Sequence, residues 1–439
     1  MKVMKFGGTS VGSPERIRSV AGLITKDDGD IVVLSAMSGT TNQLLEIADY
    51  MNKGNAVGAA ETLERLRGKY AGVVKELFPE NDEWTAKANS DIKESIDAIT
   101  SEISSYNGLQ SEKNIVARGE LMSTSLMLNY LLSCGVNAKM LPALDYMTVT
   151  ASGEPDSKEI SAKLSSLLSE IGAAKVYITQ GFICRDPEGN ITNLQRGGSD
   201  YSASLVGAAM GADEIQIWTD IDGMHNNDPR FVENTSPVRE LHFEEAAELA
   251  YFGAKILHPT CILPAKLSNI PVRLLNTMEP LAEGTMIHNA SPDHKIKAVA
   301  AKDNITAIKI KSSRMLLAYG FLSRVFEVFE RYKTSIDMIV TSEVGVSVTI
   351  DNEQYLPQIL AELKTLGTIT VDRDMAIICV VGNLEWKNKG FEAAVVNALK
   401  DLPVRMISYG GSNYNISLLV RKEDKVKALS LLSEYLFNR

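Results

Sequence analysis

The chain reads as an α/β protein in two parts: a mostly parallel sheet covered by helices, then two small β-α-β-β-α-β units. Three observations predict this. Up to about residue 290, apolar β-branched runs at 30–37 (DIVVLSAM), 174–183 (AKVYITQGFI) and 214–220 (EIQIWTD) alternate with helical stretches such as 119–135 and 200–212. Strands that are apolar on both faces and separated by helices belong in a parallel sheet buried on both sides. After residue 300 the texture changes, and one strand and helix pattern is followed by a second copy of itself.

The elements follow in order. Val3 and Met4 open a strand that carries Lys5 into the run KFGGTSVGS, and Ser13-Pro14 starts a helix. Residues 52–113 are polar and helical, an inserted helical lobe, and 221–240 is a loop rich in Gly, Asn and Pro. The first repeat takes strand 305–310, helix 320–332, strands 335–343 and 344–350, helix 355–366 and strand 368–373. The second takes strand 375–382, helix 390–400, strands 404–412 and 415–420 and helix 424–437, and then lacks its last strand. Two ferredoxin-like units are implied. The spare strand 296–301 can complete the second, which would interleave the two. The expected domains are 1–293, 303–373 and 374–439.

Composition narrows the function. A net charge of −10 argues against nucleic acid or an anionic membrane as the main partner, since both need clustered cations. Cys134, Cys184, Cys261 and Cys379 are far apart and make no CxxC pair, as expected of reduced thiols in the cytoplasm. The five histidines show no HExxH spacing, so no zinc site is expected. No apolar run approaches membrane-spanning length, and the first residues open a strand instead of a signal peptide.

Four stretches carry chemistry. In KFGGTSVGS, a strand, a glycine turn and a helix start offer backbone N–H groups to anionic oxygens, with Lys5 as a point charge. The lysine precedes the glycines, so this is not a P-loop. In 194–204 (LQRGGSDYSAS), Arg196 offers a planar fork for a carboxylate, and Asp200 either caps the following helix or orients a lysine or magnesium ion. In 218–230 (WTDIDGMHNNDPR), Thr219, Asp220 and Arg230 lie where open α/β sheets bind ligands, although by composition alone a solvated Asx-rich turn is the favoured reading. Lys255, in 252–259 (FGAKILHP), sits near a helix end where most lysines only snorkel or complement the dipole. Glu120 in 116–123 (VARGELMS) falls at a predicted helix start, where a carboxylate favours the dipole; a ligand role would require an ammonium group.

Taken in order, KFGGTSVGS, VVLSAMSGTTN (32–42), ARGE (117–120), QGFI (180–183), RGGSD (196–200), TDIDG with DPR (219–230) and GAKILHP (253–259) resemble the aspartate kinases of the amino acid kinase family. The doubled tail resembles their paired ACT regulatory domains, so the resemblance spans essentially the whole chain. GFLSRVF (320–326) with SIDMIVTSE (335–343) is most similar to the monofunctional, lysine-sensitive type. The resemblance implies an αβα sandwich with ACT units. It also implies transfer of phosphate from ATP, with Mg²⁺, to L-aspartate at the first step of lysine, threonine and methionine (diaminopimelate) biosynthesis.

By the same resemblance Lys5 and Asp200 are the catalytic pair. Gly7, Gly8 and Ser10 line the phosphates, and Ser35, Thr41, Glu120, Phe182, Arg196 and Ser199 surround aspartate. Thr219, Asp220, His225, Arg230, Lys255 and Ile256 hold the nucleotide. An effector site for lysine takes Met315, Ala318, Phe321, Leu322, Ser335, Ile336, Asp337, Ser342 and Glu343. His225 stands where relatives often carry Tyr, and Ala318 replaces a Ser. A homo-oligomer joined through the ACT units is expected.

Overall fold

The computed structural model describes residues 1–194, 197–253, 259–290, 296–312, 315 and 319–437. They fall into two compact units, one of residues 1–224 and 257–289, the other of 225–256 and 290–439.

In the first unit, strand Lys2–Phe6 is central. It pairs in parallel with Asp30–Leu34 on one side and Glu214–Thr219 on the other. Val176–Gln180 and Ala138–Leu141 extend the sheet outward from Asp30–Leu34, and Val272–Asn276 extends it from Glu214–Thr219, all in parallel. Thr285–His288 adds an antiparallel strand. Asp30–Leu34 and Val176–Gln180 are buried at every residue, as a sheet covered on both faces requires. Because the strands run the same way, the loops after Phe6, Leu34, Gln180, Thr219 and Asn276 all emerge at one edge. That edge is where ligands of such sheets bind.

The expected helical lobe is three long helices, Ala56–Leu77, Asp82–Ser104 and Leu109–Ser133. The last is longer than the stretch 119–135 suggested by the apolar pattern, because its polar first turns disguise its start. Ser13 caps helix Pro14–Ile24 by accepting from the Arg16 N–H, with Pro14 at the first helical position as expected.

The second unit is built on an antiparallel sheet in the order Ile339–Ser342, Gly345–Ile350, Ile296–Lys311, Thr368–Gly382, Asn415–Arg421, Met406–Ser408. Strands 296–301 and 305–310 are one continuous strand, and so are 368–373 and 375–382. Each long strand bends where Asn304 and Asp374 take positive φ (60° and 53°). The 296–302 half pairs with 377–382, and the 306–311 half pairs with 345–350 and 368–372. Separate apolar clusters form among the described residues. Phe321, Val325 and Phe329 anchor one, and Val395, Leu429 and Leu432 another.

Segment 225–256 groups with this second unit, although the sequence assigned it to the first domain. The Asn227 side-chain amide donates to the Leu429 carbonyl at 3.0 Å, and the Val299 N–H donates to the Asn226 carbonyl at 2.8 Å. Among the described residues, no helix is long and apolar enough to cross a membrane.

Candidate active site

Lys5 lies one residue before the end of the central strand, and its ammonium reaches Asp200 Oδ1 at 2.7 Å. Both side chains are mostly buried, at 13% and 14% exposure. Asp200 occupies the first turn of helix Gly198–Met210, whose N-cap is Gly197 in the left-handed conformation with no side-chain cap bond. The capping alternative for Asp200 is therefore set aside, and the carboxylate serves the lysine.

The glycines admit close backbone approach. A Cβ at Gly8 would fall 2.7 Å from the Ala36 carbonyl oxygen, and one at Gly198 would fall 2.5 Å from the Phe182 ring. A Cβ at Gly181 would fall 2.6 Å from Ser199 Cβ. Loops 6–12, 35–41 and 181–182 and the helix start at 198–200 are thus pressed together. The Ser38 N–H donates to the Gly8 carbonyl at 3.0 Å, and the Ser35 N–H donates to Phe6 at 3.2 Å. Phe182 takes φ 69°, a costly left-handed conformation for an aromatic residue, and its N–H donates to Ser202 Oγ at 2.9 Å. Thr41 is the second residue of helix Thr40–Asn52, which follows this loop.

Glu120 corrects the sequence reading. It lies in the middle of helix Leu109–Ser133, not at a helix start, so the macrodipole gives it nothing. It is 4% exposed; Oε1 accepts the Ala36 N–H at 3.2 Å, and Oε2 is buried with no partner among the described residues. Burial pushes its carboxyl up to about 7. A buried carboxylate oxygen with nothing to accept is costly unless a ligand supplies the donor.

Ser10 is the second correction. Its side chain is fully buried and its hydroxyl shares a 2.7 Å hydrogen bond with Thr277. The hydroxyl braces the glycine loop against the turn after strand Val272–Asn276 and is not presented to phosphate. Gly7 stays beside the lysine, since a Cβ there would lie 3.6 Å from Lys5 Nζ.

Thr219 ends its strand within this unit, its hydroxyl donating to Asp220 at 3.1 Å, and its carbonyl accepts the Thr277 N–H. His225 and Arg230 belong to the second unit. There His225 Nδ1 pairs with Thr235 Oγ1 at 3.0 Å, and the exposed Arg230 closes a two-pronged contact on Asp228. Arg196, Lys255, Ile256 and Ala318 lie outside the described residues. Phe321 is a core residue, whereas Leu322, Ser335 and Glu343 are exposed. The Ser342 hydroxyl leans on the Gly345 carbonyl at 3.4 Å. Met315 and Ile336 pack against the cluster that holds Phe321.

One residue was invisible to sequence reasoning. Lys69, on helix Ala56–Leu77, donates to the Ser38 carbonyl at 2.7 Å and to Thr40 Oγ1 at 3.0 Å. No carboxylate pairs with it among the described residues, and burial lowers its pKa. A lysine on an amphipathic helix gives no sequence signal of such a role.

Comparison with known proteins agrees with this geometry. The model of the amino acid kinase family matches residues 1–276, and an ACT domain model matches 378–436. The chain is 35% identical to lysine-sensitive aspartokinase 3 of Escherichia coli (strain K12), covering 99% of both chains. It is 36% identical to a chloroplastic aspartokinase 3 of Arabidopsis thaliana over 97% of this chain and 80% of that one. E. coli aspartokinase III in complex with aspartate and ADP superposes with a TM-score of 0.84 at 33% identity, with both chains covered completely. The same enzyme with lysine and aspartate gives 0.82 at 33% identity, covering 100% of this chain and 99% of that one. The chain belongs to the amino acid kinase family, among its aspartokinases.

Proposed function

We propose that residues 1–293 transfer the terminal phosphoryl group of ATP to the side-chain carboxylate of L-aspartate, giving ADP and 4-phospho-L-aspartate. We propose further that 303–373 and 374–439, with strand 296–301 completing the latter, are ACT units through which L-lysine inhibits. The observation that carries the first part is the Lys5–Asp200 ion pair, together with Glu120, which binds the Ala36 N–H through Oε1 and keeps Oε2 buried with no partner among the described residues.

The nucleophile is already ionised at neutral pH, so the enzyme needs no base to create it. The obstacle is electrostatic, because an anion must approach a polyphosphate. Catalysis then reduces to positioning and charge neutralisation. Lys5 stabilises the charge developing on the transferred oxygens. Asp200 holds the ammonium in place, so little reorganisation is needed as that charge develops. Glu120 takes the α-ammonium of aspartate on Oε2, and Arg196 takes the α-carboxylate. Ser35, Thr41, Phe182 and Ser199 shape the remaining wall. Gly7 and Gly8 approach the phosphates, while Thr219, Asp220, His225, Arg230, Lys255 and Ile256 are assigned to the nucleotide.

Among the described residues no three or more His, Cys, Asp or Glu side chains cluster as a metal site. Mg²⁺ is assigned to the nucleotide phosphates, with Asp200, beside Lys5 in the first turn of helix Gly198–Met210, as the acidic group that would orient it. Such an ion supplies neutralisation of phosphate charge.

Asp337 and Glu343 are the acidic members of the effector site, with Met315, Phe321, Leu322, Ser335, Ile336 and Ser342 around them. Lysine inhibits only by binding an inactive arrangement more tightly than an active one. A cytoplasmic homo-oligomer associated through the ACT units completes the reading.

The test is a hydroxamate assay of purified protein with L-aspartate and Mg-ATP, run with and without L-lysine. Acyl phosphate formation that depends on aspartate and falls with millimolar lysine is expected. No hydroxamate product defeats the catalytic assignment; product that is indifferent to lysine defeats the regulatory one.

A further inference from the structure

Asp337 already holds an ammonium group. Lys302 Nζ donates to Asp337 Oδ1 at 2.6 Å, and the Tyr251 hydroxyl donates to the same oxygen at 2.8 Å. Lys302 also lies 3.0 Å from Asp351 Oδ2 and 4.4 Å from the centroid of the Tyr251 ring. The Asp337 side chain has 0% exposure, and its other oxygen, Oδ2, is buried with no partner among the described residues. One oxygen is thus saturated by groups of this chain, while its neighbour waits for a donor.

We propose that Lys302 is an internal occupant of the amino-acid effector site, holding the carboxylate that an effector ammonium needs and yielding it when the effector binds. This rests on the reading of 315–343 as that site.

Two ammonium groups on one carboxylate repel each other at contact distance in a poorly hydrated setting. An incoming amine on Oδ2 therefore favours departure of Lys302. That departure is cheap, because Asp351 is already in contact with Lys302 and remains its counter-ion. Tyr251 shares the oxygen that Lys302 leaves, and its ring covers the same ammonium, so its two contacts loosen together.

Tyr251 sits in the last turn of helix Phe243–Phe252. Lys302 belongs to strand Ile296–Lys311, and Asp337 precedes strand Ile339–Ser342. The Asp337 carboxylate therefore ties three segments of the second unit together, and an effector amine unties them. The helix runs directly in sequence into GAKILHP, the stretch assigned to nucleotide binding. Effector and nucleotide are coupled to the extent that the tie differs between the two states, and the coupling is reciprocal.

The experiment is calorimetric titration of L-lysine into the full chain, into Lys302→Met and into Lys302→Arg. Removing the internal competitor should tighten lysine binding about tenfold, the scale of one charged hydrogen bond. The half-inhibitory concentration should fall in step. Lys302→Arg keeps a cation on Asp337 and should stay near the parent.

Equal or weaker affinity in Lys302→Met overturns the proposal while leaving lysine regulation intact. Absence of binding to the parent chain overturns the effector reading and this inference with it. Should Lys302→Met fail to fold, Tyr251→Phe removes one donor from the same oxygen and keeps the ion pair. It should bind lysine about threefold tighter, and an unchanged affinity counts against the proposal.

Discussion

Lys5 and Asp200 meet at 2.7 Å, with one side chain rising from the central strand and the other from the first turn of helix Gly198–Met210. The contact is an ion pair with little solvent around it, so the ammonium is held ready before substrate arrives. Lys5→Ala should lower kcat by roughly two to three orders of magnitude, the scale of losing one preorganised donor at about 3–4 kcal/mol. The KM for ATP should change far less. Steady-state kinetics on the folded variant checks this, and near-normal turnover would remove Lys5 from the mechanism.

Glu120 should make aspartate binding pH-dependent. Its carboxyl is raised from 4.5 to about 7 by burial, so the folded protein favours the protonated form. Its contribution to the stability of the ligand-free protein is full below 4.5 and is lost as pH rises through about 7. Aspartate's ammonium demands the ionised form instead. The KM for aspartate should therefore rise as pH falls below about 7, and binding near pH 6 should release a proton. Calorimetry in buffers of different ionisation enthalpy measures that release. Glu120→Gln should abolish it; a wild-type protein that releases none contradicts the assignment.

The Ser10–Thr277 hydrogen bond should be worth more to the fold than to chemistry. Ser10→Ala leaves the Thr277 hydroxyl buried with its partner gone, at a cost of about 1–3 kcal/mol. Chemical denaturation of Ser10→Ala, Thr277→Val and the double variant should give strongly non-additive losses. A large rise in KM for ATP with unchanged stability would restore Ser10 as a phosphate ligand.

Lys69 should act through the loop it holds. Lys69→Met removes the donor to the Ser38 carbonyl and Thr40 hydroxyl, and kcat/KM for aspartate should fall about tenfold. Lys69→Arg keeps the charge and should recover most of the loss. Full activity in Lys69→Met would reduce it to a surface residue.

How much of this was legible follows from what each feature depends on. The parallel sheet, the glycine turn after Lys5 and the start of helix Pro14–Ile24 are local or periodic, and they stand in the sequence as continuous apolar runs, paired glycines and a Ser-Pro cap. The start of helix Leu109–Ser133 was hidden because its early turns are polar. Glu120 was misread with it, since burial in mid-helix is decided by what packs over the helix. Segment 225–256 looked like part of the first domain because it precedes strand Val272–Asn276, but its amides and Val232 are satisfied by partners in the C-terminal unit.

The order of residues alone determined the alternation of strands and helices, the recurring C-terminal pattern and the types of group available for phosphate and carboxylate. Only the tertiary structure decided their partners: Lys5 with Asp200, Ser10 with Thr277, Lys302 with Asp337. Local propensity is written in near neighbours along the chain, whereas the desolvation and pairing of a charge depend on side chains brought from distant positions.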